Sequence, residues 1–140
     1  MHKKLEIWKE AVELIKIIYS LSEQLPKNEE YNLKSQLKRA ITSVALNIAE
    51  GKGRQSSKDF AHFLNLSSAS LEETDAILSI CEELNFLPNI SEIHEKNKKL
   101  SYRINALRKN YWRKMERKQN KSLPSFPLSF LPSLLQGKEM

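Results

Sequence analysis

Apolar residues recur along the chain at the 3.6-residue spacing of an amphipathic helix in four places. The first run, from about Leu5 to Leu25, carries two neighbouring stripes. Leu5, Trp8, Val12, Ile15 and Tyr19 form one; Ala11, Leu14, Ile18, Leu21 and Leu25 form the other, and Pro26 stops the helix. The second runs from about Glu29 to Glu50 with Leu33, Leu37, Ile41, Val44 and Ile48 on one face, and Gly51 stands where a left-handed C-cap belongs. The third runs from about Ser57 to Leu87. There Phe60, Leu64, Ser67, Leu71, Thr74, Leu78 and Cys81 alternate large and small, as in closely packed antiparallel helices, and Pro88 closes it. The fourth opens near Asn89–Ser91, with Glu92 as the capping-box partner of Asn89; Ile93, Leu100, Ile104, Leu107 and Tyr111 carry its stripe. Short connections make neighbours antiparallel. The pattern predicts an all-α, up-down-up-down four-helix bundle over residues 1–119. A Pro-, Ser-, Leu- and Phe-rich tail follows over 120–140, where Pro124, Pro127 and Pro132 rule out one long helix and a membrane span.

The second helix departs from an ordinary amphipathic pattern. Leu37, Ile41, Val44 and Ile48 point to the core, while Gln36, Arg39, Ser43, Asn47 and Glu50, with Leu46 close by, lie on the other side. Residues 40–49, AITSVALNIA, hold no charge at all. A helix that is neutral all round is usually buried all round. A second copy of the chain is the most economical cover for the outer face. The alternative is a mildly apolar surface left in water.

The stretch "EGKGRQSS" then reads as a helix–loop–helix corner. Ser56 or Ser57 starts the third helix, and Asp59 stands three residues after Ser56. A Walker-type phosphate loop has a different spacing and a strand before it. Glu50 sits at a helix C-terminus, where the dipole disfavours a negative charge. It therefore either pairs with Arg54 or Arg39, within the chain or across a subunit interface, or is simply solvated.

Composition narrows the class. The 140 residues are 40% hydrophobic and 29% charged, enough for one small domain, and only three are glycine, which disfavours an all-β chain. The single cysteine, Cys81, lies in an apolar stripe and is compatible with a reducing cytoplasm. The N-terminal segment carries charges throughout and is neither a signal peptide nor a membrane span.

Charge is unevenly spread. Lys96 to Lys121 holds eleven Lys or Arg against one acid, Glu116, or +10; the rest holds twelve basic and sixteen acidic residues, or −4, for a net +6. The candidates for nucleic-acid contact are Lys98, Lys99, Arg103, Arg108, Lys109, Arg113, Lys114, Arg117 and Lys118, interleaved with Tyr102, Tyr111 and Trp112. Cations attract phosphate backbones and aromatic rings stack on unpaired bases. Two plainer readings compete. The basic helix would complement acidic residues of the third helix, Glu72, Glu73, Asp75, Glu82 and Glu83, and the aromatics would be core.

Catalytic constellations are poor, and no enzymatic role, cofactor or metal is expected. His2, His62 and His94 are scattered, and His62 reads as a surface or interface side chain. A di-iron bundle needs Glu-x-x-His, whereas the nearest spacing here is Asp59-x-x-His62. Ser43, Ser67 and Ser70 lack legible His and Asp partners and read as packing residues.

The chain resembles the four-helix-bundle proteins of the 23S rRNA intervening-sequence family over about residues 5–115. The resemblance is carried by Ser35-Gln36-Leu37, Arg39-Ala40, Ser43, Asn47 through Gly51, Gly53-Arg54, Phe60, Phe63-Leu64 and Ser70 through Glu73. It departs at Leu46, where proline or a small residue is common, at Ala69, where glycine is, and at Thr74, where an aliphatic is. The family includes proteins encoded in insertions of bacterial 23S rRNA genes and is related to accessory proteins of diversity-generating retroelements. The resemblance implies a ring-like homopentamer without enzymatic activity. The expected interface and corner residues are Arg39, Ser43, Leu46, Asn47, Glu50, Gly51 and Arg54. The expected partners are the chain itself and RNA or DNA, with no membrane. A protein-binding scaffold without nucleic acid is the alternative.

Overall fold

Each apolar stripe becomes a helix. In the computed structural model, which describes residues 2–122, α1 is His2–Ser22, α2 Leu33–Lys52, α3 Ser57–Glu83 and α4 Ser91–Ser122, with a 3-10 turn at Lys27–Glu29. The described residues contain no strand. The predicted tail lies, from residue 123, outside the described residues.

Consecutive helices pack side by side, and α1 also meets α4; the backbones of the diagonal pairs stay apart. The bundle is therefore a square with α2 and α4 at opposite corners. Its centre is filled by Ile18, Leu37, Ile41, Ile48, Phe60, Leu64, Leu71, Leu78, Leu100 and Ile104, all fully buried. Each such side chain contributes about 1.5–3 kcal/mol. The ion pairs Lys16–Glu13, Arg39–Glu73 and Arg54–Glu50 lie in solvent, where a pair contributes ~0–1 kcal/mol. Packing, not surface charge, holds the fold.

Of the two α1 stripes, the core takes the second: Ala11, Leu14, Ile18 and Leu21, joined by Ile7 and by Leu25 beyond the helix end. Leu5, Trp8 and Tyr19 of the first stripe remain exposed. Between α2 and α3, the Ser67 hydroxyl donates to the Val44 carbonyl at 2.8 Å. A small residue there lets two backbones approach while its one polar atom is satisfied.

Helix α1 runs from His2 to Ser22 rather than from about Leu5 to Leu25, and three further helix ends differ from the sequence reading. Helix α2 starts at Leu33, not Glu29. The Glu29 carboxylate instead accepts from the Leu33 N–H at 3.3 Å and from the Asn32 amide at 3.0 Å, satisfying a donor that the first turn leaves free. Gly51 is not a left-handed cap. It is buried inside α2, which ends at Lys52 with Gly53 as its cap at φ −75°. A Cβ on Gly51 would stand 2.8 Å from Phe63 Cβ and 3.0 Å from Phe60 Cδ2. Glycine is needed there for close approach of α3, not for backbone conformation. Helix α3 stops at Glu83 rather than Leu87, because Asn85 adopts φ 59° and the Phe86 N–H turns back to the Cys81 carbonyl at 2.9 Å.

Two other ends follow the pattern. Ser56 caps α3 by accepting from the Asp59 N–H at 3.0 Å. Asn89 stands at the α4 entrance, but its side chain accepts from the Ser91 N–H at 2.9 Å, two residues on, so the box with Glu92 gives way to an Asx turn.

Candidate nucleic-acid interface

Helix α4 buries Leu100, Ile104 and Leu107 and turns the opposite face outward. On or beside that face Lys98, Lys99, Arg103, Lys109, Arg113, Lys114, Arg117 and Lys118 are exposed, and Arg108 is half-buried. The aromatics separate. Tyr111 is partly buried against the core, edge-on to Phe60 with ring centroids 4.7 Å apart. Tyr102 is 77% and Trp112 49% exposed, and the Trp112 indole N–H donates to Glu116 at 3.0 Å.

The acids of α3 do not neutralise this surface. Glu73 pairs with Arg39 of α2 at 3.0 Å, and Asp75 and Glu82 both go to His94. Among the described residues, Arg103 is the one candidate cation in an ion pair, and its partner is Glu10 of α1. Helix α4 therefore complements the acids of α3 through His94 at its start, not through the candidate cations.

His94 is the site that the sequence reading passed over. Its Nδ1 lies 2.5 Å from Asp75 and its Nε2 2.5 Å from Glu82, so both ring nitrogens donate when the imidazole is protonated. The Asn97 amide adds a donor to Asp75 at 3.1 Å, and the second Glu82 oxygen faces the Ile90 N–H at 3.5 Å. The cluster ties the end of α3 to the start of α4. Partial burial pulls the His94 pKa down, but the hydrogen bonds it donates to Glu82 and Asp75, with their negative charges, outweigh it and hold the pKa above the ordinary 6.5. With a folded pKa above the unfolded one, the stabilisation is complete below about pH 6.5 and is lost as pH rises through the folded value. Half-exposure of Asp75 limits it to about 1 kcal/mol. Urea melts of the parent and His94→Gln chains should converge as pH rises from 6 to 9; a gap that stays constant would show that protonation is not the source. Nearness to the turn could have revealed the pair, since Glu82 stands three residues before the Asn85–Pro88 turn and His94 six residues after it.

The opposite corner is apolar. On α2, Leu46 is 67% exposed, with Ala49 exposed and Ser43 and Asn47 half-buried. The exposed α1 stripe borders it on one side, where Lys38 of α2 sits 4.9 Å over the Tyr19 ring. On the other side runs the α3 stripe of Leu66, Glu73, Ile80 and Leu84, tied to α2 through Arg39. Glu50 takes Arg54, not Arg39, at 2.7 Å, and the Arg54 guanidinium lies 5.2 Å over the Phe63 ring. The corner pair is thus made within one chain and lies in solvent.

Among the described residues no group of three or more His, Cys, Asp or Glu is arranged to hold a metal, and no helix is long and apolar enough to cross a membrane. Cys81 is fully buried and its thiol is pushed up by burial.

No curated protein matches the chain in sequence. Among solved structures it is similar to a protein of unknown function from the S23 ribosomal protein family of Bacteroides thetaiotaomicron, at 21% identity and TM-score 0.70, covering 76% of this chain and 98% of that one. At that identity the likeness establishes the fold. The family model for the 23S rRNA-intervening sequence protein matches residues 3–107. With all four helices inside or entering that match, the chain belongs to the 23S rRNA-intervening sequence protein family.

Proposed function

We propose that the protein is a non-catalytic, cytoplasmic homo-oligomer that joins its copies through the α2 corner and presents α4 to RNA or a ribonucleoprotein. The observation that supports this most directly is the set of exposed cations on α4 around Tyr102 and Trp112, diagonally across the bundle from the apolar corner. Association at α2 leaves α4 free in every copy. Repetition then multiplies a surface that would be weak alone.

Phosphate binding by Lys and Arg releases counterions, so affinity should fall steeply with salt. Binding of a structured RNA fragment should be measurable at low salt. Replacing Lys109, Arg113 and Lys118 together with Gln should lower affinity at least tenfold and reduce the magnitude of the log–log salt slope by about 2–3. Fluorescence anisotropy across a salt series reads both. Absence of binding at low salt, or an affinity indifferent to salt, would remove the nucleic-acid reading and leave a protein-binding scaffold.

A further inference from the structure

At the end of the bundle where α1 begins and α4 leaves the core, a cleft of about 410 Å³ opens between the two helices. Lys3 and Lys4 of α1 and Lys114 and Arg117 of α4 line it, with the Asn110 amide and the Tyr111 ring. Among the described residues, no carboxylate lines it. The cations come from segments more than a hundred residues apart in sequence, so only the fold brings them together.

Four like charges around one cleft repel one another, and the structure shows what holds two of them. Lys4 Nζ sits 4.3 Å over the Phe60 ring and 5.0 Å over the Tyr111 ring, while Lys114 Nζ sits 5.1 Å over Tyr111. A cation over an aromatic face is attracted by the ring quadrupole, yet keeps its N–H donors for another acceptor. Tyr111 is itself pinned edge-on to Phe60. The first turn of α1 holds no acidic residue, so the positive end of its dipole lies at the same place uncompensated.

We propose that this cleft binds a phosphate group, with Lys3, Lys4, Lys114 and Arg117 as the charge partners and Asn110 as a neutral donor. This deepens the nucleic-acid reading and rests on it where the phosphate belongs to an oligonucleotide. The phosphate is either a chain terminus or an internal diester, and inorganic phosphate shares its chemistry.

The test uses the full chain, the Lys3→Gln/Lys4→Gln double variant and a Lys98→Gln/Lys109→Gln control on the outer face of α4. Matched thermal melts confirm folding; if removing Lys4 unsettles the end of the bundle, Lys3→Gln alone takes its place. Inorganic phosphate is titrated against the amide resonances of Lys4, Asn110 and Lys114. A 3′-labelled RNA, with and without a 5′-phosphate, is titrated by anisotropy. Phosphate should shift those resonances in the parent chain, and the α1 variant should lose the shift. A preference of several-fold for the 5′-phosphorylated RNA, abolished in that variant, assigns a terminal phosphate. Equal weakening of both RNAs, with the salt slope smaller by about 1 for each phosphate no longer neutralised, assigns an internal one. Phosphate shifts without any RNA binding would keep the cleft and remove the nucleic-acid reading. Unshifted resonances, with RNA binding weakened by the α4 control but not by the α1 variant, would overturn the cleft and leave that reading standing.

Discussion

Gly51→Val is expected to be among the most destabilising single changes in the chain, and Gly53→Ala, two residues on, is expected to do no harm. The two glycines share one motif but not one role. At Gly51 the first added carbon meets Phe63 Cβ at 2.8 Å, a backbone-near atom that cannot swing away, and the Phe60 ring at 3.0 Å. Phe60 is fully buried and locked against Tyr111, so the strain passes into the core. A branched side chain there should cost about 2–3 kcal/mol, even after the helix-propensity gain from losing a glycine is counted. For a chain of this size that corresponds to a drop of roughly 10 °C in the melting midpoint. At Gly53 the nearest atoms to an added Cβ are carbonyl oxygens at 3.5 and 3.9 Å, and φ is −75°, which alanine adopts without strain. Its expected effect is a gain of a few tenths of a kcal/mol. Thermal melts of the two variants check the pair. Equal losses at both positions would mean that Gly51 acts as a helix stop after all.

Leu46→Lys is expected to dissociate the proposed oligomer while leaving the protomer folded. The side chain is two-thirds exposed in the single chain, so a lysine there is solvated and the bundle melts as before. Once a second copy covers the α2 corner, the same lysine loses water, and the nearest α2 carboxylate, Glu50 one turn on, is already held by Arg54. An unpaired desolvated charge costs several kcal/mol; about 3 kcal/mol per interface would weaken association by roughly a hundredfold. Light scattering at micromolar concentration should show the parent chain as an oligomer and the variant as a monomer with the same helical spectrum. Lys98→Glu, on the diagonal helix, should leave the assembly unchanged. A parent chain that is already monomeric at that concentration ends the proposal, and the apolar corner is then only exposed surface.

The four helices and their order were legible in the sequence because each stripe is long and regular, with Pro26, Ser56 and Pro88 marking the breaks between them. The core residues expected for α3, from Phe60 to Cys81, are all buried. The Ser56 cap also forms as expected, since a capping bond spans only three residues and is decided locally. The uncharged stretch of α2 also marked the surface that stands out in three dimensions.

What the sequence left open depended on who faces whom. Periodicity could not choose between the two stripes of α1, because both have the helical period and only packing against α2 and α4 selects one. It placed glycine at a helix end, where the local rule expects a turn, yet Gly51 is set by an aromatic pair on the next helix. It offered Arg39 and Arg54 equally to Glu50, and the chain sends Arg39 to Glu73, thirty-four residues away, instead. It read His94 as isolated, although the α3–α4 turn brings two carboxylates against it. Helical period is a property of neighbours along the chain and survives in the sequence. Charge pairing, close approach and the convergence of Lys3 and Lys4 on Arg117 are properties of neighbours in space, and only the square packing of the four helices decided them.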